Sequence, residues 1–449
     1  MNKRQMIIGM HMGNGHGGMA NAWRMPGADP RAYVSFDAKV RQAQAAERGK
    51  FQFLFLPDGP HAVTGDLDNE PSGFNLDAMM SLAAIARGTE RIGLVATGST
   101  TFNEAFNLAR SFKALDIMSH GRAGWNAVTS ASDDVAANYG TRIPSSAERY
   151  GRAHEMIQIV QALWGSWGWD AWVADPETGE YAKSDQIVPI NLGGNHVASR
   201  GPLYIPPSEQ GQPVIFHAGG PSPNALNIAG RYASGFIAGA FSIQDARAQR
   251  TAFRNAAEQA GRNPDEIKFF PGVITSIADN KRAALDRRIA LSGPVLEQRA
   301  GYIQQMLGVR LDLMQLDKPL SPEQISAART TGGDARAVRA LEVAREGWSL
   351  RDILAHGVID YQPVVAGTVT DVADHMQEWF EAEAADGFWM IPDAYDDGLD
   401  LLVDGVVPIL QERGLFHREY EGETLRDHLG APAQYGVDLR IGGAREGSR

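Results

Sequence analysis

The 449-residue sequence contains no cysteine. That absence excludes disulfides, thiolate nucleophiles, cysteine-ligated zinc and iron–sulfur clusters together. Its eleven histidines are scattered, none pairs at metal-ligand spacing, and there is no H-E-x-x-H, so no metal site is expected. No apolar run approaches the roughly 18 residues of a membrane span. Residues 6–12, after Lys3 and Arg4, are broken by Gly9 and His11 and are too short and polar for a signal peptide, so a cytoplasmic location is expected. Basic residues are few: 42 Lys and Arg against 54 Asp and Glu, a formal net charge of −12. That balance argues against a nucleic-acid or anionic-membrane surface, though a local field leaves an anionic substrate open. No G-x-x-x-x-G-K-[ST] loop and no G-x-S-x-G elbow is present, which removes P-loop and α/β-hydrolase chemistry. Internal repeats and low-complexity tracts are also missing.

What the chain does have is a regular alternation of strand and helix. Residues 5–12 are apolar, bounded by glycines, and predict a first strand. Tyr33, Phe36, Val40, Ala43 and Ala46 then recur at helical spacing, and Gly49 sits where a C-terminal cap belongs. Residues 51–56 form a nearly continuous apolar run, as a strand buried on both faces should, and stop at Pro57-Asp58-Gly59. Further strands are expected at 92–97, 124–129, 214–217, 235–238, 269–277 and 388–391. Helices are expected at 76–87, 105–118, 148–164, 223–232, 243–260 and 399–412. Eight strands with intervening helices suit a closed parallel (β/α)8 barrel; an open doubly wound sheet is the alternative. With 43% apolar residues, the chain reads as one large domain over 1–449. Two stretches exceed ordinary loops, 166–212 and 280–367, and read as insertions that wall or cover a site, or else decorate the surface or an oligomer contact. Trp167, Trp169 and Trp172 on the first are candidates for an apolar lid, or for packing that insertion down. A polar tail over 417–449 is expected to wrap the barrel or a partner subunit.

Gly13-Asn14-Gly15-His16-Gly17-Gly18 fits G-x-G-x-x-G after a strand. Its context fails for a dinucleotide site: Pro26 and Pro30 interrupt the next stretch, and the nearest acidic residue at the end of strand two, Asp58, lies too far along. A glycine-rich first loop that lets a flat ring approach the backbone suits it better. Val214-Ile215-Phe216-His217-Ala218-Gly219-Gly220-Pro221-Ser222-Pro223 reads as strand, two glycines, then a helix with Ser222 at the N-cap and Pro223 at N1. The free N–H groups and dipole of a helix start, with glycines beside them, make a phosphate-binding candidate; an ordinary capped turn is the plain alternative. Polar clusters also fall at three other expected strand C-termini, where barrel sites assemble: Asp58, the segment Thr97 to Thr101 that includes Ser99, and Asn126 with Thr129 and Ser130.

These blocks resemble a known family. Ala96-Thr97-Gly98-Ser99-Thr100-Thr101-Phe102-Asn103-Glu104, Asn107-Leu108-Ala109-Arg110 and above all Gly121-Arg122-Ala123-Gly124-Trp125-Asn126-Ala127-Val128-Thr129-Ser130 are similar to the bacterial luciferase-like flavin monooxygenases, in the branch with nitrilotriacetate, dibenzothiophene-sulfone and long-chain alkane monooxygenases. Glu148-Arg149-Tyr150, Arg200-Gly201-Pro202-Leu203, Gly387-Phe388 and Val407-Pro408-Ile409-Leu410-Gln411 continue the match in order over nearly the whole chain.

The resemblance implies a luciferase-like (β/α)8 TIM barrel with insertions, and an FMNH2-dependent monooxygenase using flavin C4a-peroxide chemistry. It implies FMN delivered reduced by a separate NAD(P)H:flavin reductase, O2 and a small organic substrate oxidised at C–S, C–N or C–H, and a homodimer or homotetramer. Carried over, Asp58, Thr97 and Ser99 would touch the flavin ring region and Asn126 would lie beside it. Tyr150, Gly219, Gly220 and Ser222 would approach the ribityl phosphate. Relatives tend to carry histidine where this chain has Ser146, and serines where it has Gly220-Pro221. His11, His16 or His61 could donate a proton, and each is also readable as structural. A deazaflavin-dependent oxidoreductase on the same fold, a non-catalytic flavin-binding relative and a metal-dependent barrel hydrolase are the competing readings.

Overall fold

The computed structural model describes residues 4–62, 67–68, 70–73, 76–330 and 334–436. Eight parallel strands close on themselves: β1 (Ile7–His11), β2 (Phe53–Leu56), β3 (Gly93–Ser99), β4 (Ala123–Val128), β5 (Val214–Ala218), β6 (Gly235–Ala238), β7 (Lys268–Ile277) and β8 (Gly387–Pro392). Each pairs with its neighbours, and β8 returns to β1 with Ile8 opposite Phe388 and Gly9 opposite Trp389. The barrel expected from the alternation is therefore the fold, and the open sheet is not. Helices α1 (Phe36–Arg48), α2 (Ala78–Gly88), α3 (Ala105–Met118), α4 (Asp133–Asn138), α5 (Ser146–Trp164), α6 (Pro223–Tyr232), α7 (Ile243–Gln259) and α8 (Lys281–Ser292) follow strands β1 to β7. Ser35, Asp77, Ser132, Ser145, Ser222, Ser242 and Asn280 cap all of them but α3, with side chains accepting from N–H groups of the first turn.

The barrel interior is filled by setting large residues against small ones. At one level Thr97, Asn126, Phe216 and Gly235 stand side by side; below it His11, Phe55, Val95, Gly124 and Val214 do. Phe53, Phe216 and Phe270 meet in the centre, with ring centroids 5.1–5.2 Å from Phe53. Glycine opposite each ring is what admits it: a Cβ on Gly9 would lie 2.2 Å from Phe53, and one on Gly235 2.3 Å from Phe216. The other end of the barrel is shut by the tail. Leu425 and Leu429, on the helix Leu425–Leu429, join the same cluster, and Leu425 packs beside Gly93 and Gly124. With the centre packed and the N-terminal end plugged, a ligand's way in lies at the C-terminal mouth. Residues 437–449 of the expected tail lie outside the described residues.

Two local readings are corrected. The closing helix, expected unbroken over 399–412, is α-helical at Gly398–Asp400, a π-helix at Leu401–Val406 and α-helical again at Val407–Glu412. Pro408 has no N–H to offer the carbonyl four residues back, so the preceding turn widens. A strand at Val364–Gly367 lies inside the stretch expected to be helical. It pairs with the last four residues of β7, a ten-residue strand that overruns the four-residue β6 on that side. Between α8 and that strand, short helices carry their own apolar cluster, including Ile303, Leu307, Val343 and Leu354. Ion pairs fix this region beside the mouth: Arg287 of α8 with Asp393 and Asp397 after β8, and Arg288 of α8 and Arg299 with Asp360.

Among the described residues no helix is long and apolar enough to cross a membrane, and no cluster of His, Asp or Glu is arranged to hold a metal ion.

Candidate functional site at the barrel mouth

The ends of β3 and β4 are tied into one unit. Asn126 Nδ2 donates to Thr97 Oγ1 (2.9 Å), and Ser130 Oγ donates to Ser99 Oγ (2.9 Å). Ser99 Oγ also accepts from the N–H groups of Thr101 and Phe102, and Thr101 Oγ1 donates to Thr129 O. Asn126 is buried, and its other amide atom, Oδ1, has no partner. The amide is thus fixed in orientation with an acceptor left over that a ligand could meet.

Thr97, Ser99 and Ser130 share a cavity of about 350 Å³ with Asp58, Asp77 and Tyr139. Burial pushes the Asp58 carboxyl up, and the Asp77 charge adds to it. Tyr139 stacks flat on Phe102 at 4.7 Å, giving this cavity an aromatic wall.

At the end of β5, His217 Nδ1 donates to Ala127 O (2.6 Å), and burial holds this ring below its usual pKa. Gly219 and Gly220 follow. A Cβ on either would meet nothing within 4 Å, and Gly219 has φ +142°, which only glycine adopts freely. The Gly219 N–H goes to Ile237 O and the Ser222 N–H to Gly220 O, so these two donors are engaged within the loop. Ser222 Oγ accepts from Ala225 N, leaving its hydroxyl proton to donate outward.

Helix α5 spans the two halves. Arg152 donates to Thr100 O and Asn103 O on the β3 loop, and to His196 O on the hairpin of the first insertion. The Tyr232 hydroxyl of α6 lies 2.7 Å from His154 Nδ1. Tyr150 is half-buried on the site-facing half of α5 and packs on the main core, while Ser146 is exposed in the first turn. Ser145 and Glu148 cap this helix reciprocally. Ser145→Ala is expected to cost about 1 kcal/mol, read as a lower urea midpoint; an unchanged midpoint would show that packing alone holds α5.

The mouth therefore brings Asp58, Thr97, Ser99 and Asn126 together, with Gly219, Gly220 and Ser222 one strand further round. His61 and Ser146 line neither this cavity nor the one beside it, and His16 is buried in the β1 loop. The reading of the first loop as room for a flat ring is narrowed: a Cβ on Gly15 would strike Ala32 O at 2.4 Å and one on Gly17 would strike Asp393 O at 2.4 Å, so these two glycines make room for protein backbone, while Asn14, Gly17 and Gly18 also border a second cavity. Lys39 Nζ to Gly13 O, Gln42 Nε2 to Gly15 O and the Tyr395 hydroxyl at Gly13 N hold that loop. The tryptophan lid is corrected. Trp169 packs at a tilt against Tyr435 (ring centroids 4.0 Å) beside Glu209, on the plugged side of the barrel, and Trp167 is buried and donates to Leu203 O.

Sequence reasoning missed Trp389, Tyr361 and Gln362. Trp389 lies on the inner face near the end of β8 beside His11, ring centroids 5.2 Å apart. Tyr361 lines, with His11 and Trp389, that second cavity at the mouth, and the Gln362 side chain leans over Gly272 inside β7. Trp389 Nε1, His11 Nδ1 and Gln362 Oε1 are all buried without partners.

Comparison with known proteins places this geometry. A family model described as luciferase-like monooxygenase matches residues 17–386. N-acetyl-S-(2-succino)cysteine monooxygenase of Bacillus subtilis (strain 168) is 35% identical over 435 residues, 95% of this chain and 97% of that protein. Nitrilotriacetate monooxygenase component A of Aminobacter aminovorans is 35% identical over 442 residues, 94% of each. Among solved structures, EDTA monooxygenase (EmoA) from Chelativorans sp. BNC1 superposes with a TM-score of 0.81 at 30% identity, covering 97% of this chain and all of that one. Riboflavin lyase (RcaE), solved with modified FMN and riboflavin, gives 0.76 at 28% identity over 96% of each chain.

Proposed function

Because the chain belongs to the luciferase-like monooxygenase family, we propose that it is the oxygenase component of a two-component enzyme that takes FMNH2 from a separate NAD(P)H:flavin reductase and oxygenates a small organic molecule. The observation that carries this reading is the pairing of one orphaned acceptor, Asn126 Oδ1, with an unfilled double-glycine turn at the tip of α6. A flat ring with N–H groups and a phosphate tail answers both. FMN in the riboflavin lyase structure and the words "component A" in the nitrilotriacetate relative support the cofactor and the separate partner.

Bound there, reduced flavin supplies the two electrons with which O2 gives one oxygen atom to substrate and the other to water. The chain's own residues do the rest. Asn126, its amide fixed by Thr97, would accept from the ring. The Ser222 hydroxyl and the first turn of α6 would hold the phosphate, with Tyr150 alongside. Asp58 lies toward the ring side, its carboxyl pushed up by burial and by the Asp77 charge. His11 is held at a pKa of about 4 by burial and by the nearby Lys39, so at neutral pH it is no acid and cannot protonate an oxygen species early. His11, Phe55 and Trp389 form an aromatic floor and Tyr361 a rim, an arrangement that keeps water out. A homo-oligomer in the cytoplasm completes the reading.

Purified protein given FMN, NADH and a flavin reductase is expected to consume O2 in a substrate-dependent way. Asn126→Ala and Tyr150→Phe are each expected to weaken FMNH2 binding or kcat/KM about tenfold, the value of one hydrogen bond at a buried site. Unchanged affinity and turnover in both variants would refute the site assignment. Tight binding of a deazaflavin in place of FMN would refute the cofactor.

A further inference from the structure

The aromatic floor and the Tyr361 rim wall the second cavity at the same mouth, to which no ligand has been assigned. It holds about 380 Å³, and its walls include His11, Asn14, Pro57, Glu70, Tyr361 and Trp389. Pro57 here and Asp58 in the first cavity are consecutive residues, so one turn divides the two. The volume falls within the usual range for a small organic ligand.

Two groups on its walls want a partner. Trp389 is 7% exposed and His11 9%, and neither Trp389 Nε1 nor His11 Nδ1 has a hydrogen-bond partner. The Trp389 ring cannot turn to find one. It is boxed edge-on by His11 at 5.2 Å and Phe55 at 5.4 Å, and rises between Gly9 and Gly272 on the neighbouring strands. An indole N–H is a donor only, so what it lacks is an acceptor. A buried donor left unmet is costly, and one held rigidly in a cavity wall points to an acceptor that arrives with the ligand.

The charge of the cavity narrows the ligand. Glu70 is the one formally charged side chain among its described lining residues. Lys39, which acts on His11, donates to Gly13 O, and Arg288, which acts on Tyr361, is paired with Asp360. His11 is neutral. The remaining walls are Asn14, Met19, Ala20, Pro57, Pro71 and glycine backbone.

We infer that this cavity is the compartment for the organic substrate, and that it takes a neutral, largely apolar molecule bearing an acceptor oxygen received by the Trp389 N–H. A polycarboxylate, of the kind that names the nitrilotriacetate and EDTA monooxygenases among the relatives, would enter beside Glu70 with no Lys or Arg among the described lining residues to meet it. The inference rests on the flavin reading only for the chemistry that follows binding.

Isothermal titration of the FMN-loaded protein with methyl phenyl sulfone, isopropylbenzene and nitrilotriacetate tests it. The sulfone is expected to bind at least about tenfold more tightly than nitrilotriacetate. Trp389→Phe, which keeps the ring and removes the N–H, should weaken the sulfone about tenfold while leaving isopropylbenzene and FMN affinities unchanged. Glu70→Lys, on a loop outside the barrel core, should tighten nitrilotriacetate about tenfold or more, and it decides the matter if Trp389→Phe does not fold. Equal binding of nitrilotriacetate and the sulfone, or sulfone binding indifferent to a folded Trp389→Phe, overturns the inference. Failure of FMN to bind would instead remove the flavin reading, and the same titrations on the protein alone would still decide the cavity's preference.

Discussion

A Gly220→Glu variant is expected to lose FMN affinity by about a hundredfold or more, while riboflavin binding falls far less and thermal stability hardly changes. A Cβ on Gly220 meets nothing within 4 Å, so the new side chain fits the fold without moving protein atoms. It projects from the turn that leads into α6, a ten-residue helix with Ser222 as cap and Pro223 in its first turn. A carboxylate there competes for the same helix-terminal donors and sets a negative charge against a phosphate. Like charges opposed in a binding site cost several kcal/mol, or about two powers of ten and more. Riboflavin lacks the phosphate and escapes the repulsion, so the ratio of the two affinities separates phosphate recognition from general damage. Gly220→Ala, equally free of clashes, is the control and should bind FMN nearly as the parent does. Equal losses for FMN and riboflavin in the glutamate variant would place the phosphate elsewhere.

Much of the fold was open to sequence reasoning because parallel strands buried on both faces leave dense apolar runs. The run at 51–56 contains β2, and the glycine-bounded segment at 5–12 contains β1. The strand Val364–Gly367 was hidden because four apolar residues in a charged, helical stretch carry no periodicity. Only the overhang of β7 gives them a partner. The π-turn was hidden because Pro408 changes hydrogen bonding without altering the apolar spacing of the closing helix.

The site divides along a similar line. Thr97, Ser99 and Asn126 were legible because a polar residue at the C-terminal end of a barrel strand has few structural reasons to be there. Glycines were legible as glycines, but not by what opposes them. Gly15 and Gly17 make room for protein backbone, whereas Gly219 and Gly220 face open space, and the sequence writes both pairs alike. Tyr361 and Gln362 were out of reach. Their place over the mouth is fixed by Asp360, clamped by Arg288 and Arg299 from 72 and 61 residues away, and no local pattern reports such a contact.

Acidification from pH 7 to pH 4.5 is expected to unfold the protein, for reasons that lie mainly in its histidines. Burial holds His11, His356, His375 and His428 at a pKa of about 4, against 6.5 for the free side chain. The sign follows from proton linkage: a group whose folded pKa is depressed binds protons more readily in the unfolded chain, so its stabilising share is complete above pH 6.5 and drains away as pH falls toward 4. The full difference is worth about 3 kcal/mol per histidine, and four of them rival the whole net stability of a typical domain, about 5–15 kcal/mol. Buried Asp116, whose carboxyl is pushed up by burial, works in the opposite direction and offsets part of the loss. Carboxylates held low by partners, such as Asp397 beside Arg287, add to the loss only below the usual carboxylate range. Urea midpoints should therefore be nearly flat above pH 7 and fall steeply between pH 6.5 and 4.5. His375 offers the cleanest check, since its Nε2 has no partner and its ring packs on Trp379 at 5.0 Å and Phe388 at 6.5 Å. His375→Phe keeps an aromatic ring there, removes the proton site, and should shallow the slope by about one proton per molecule. A midpoint that stays level to pH 4.5, or a slope untouched by His375→Phe, would mean that these rings are hydrated enough in the folded state to take their protons without cost.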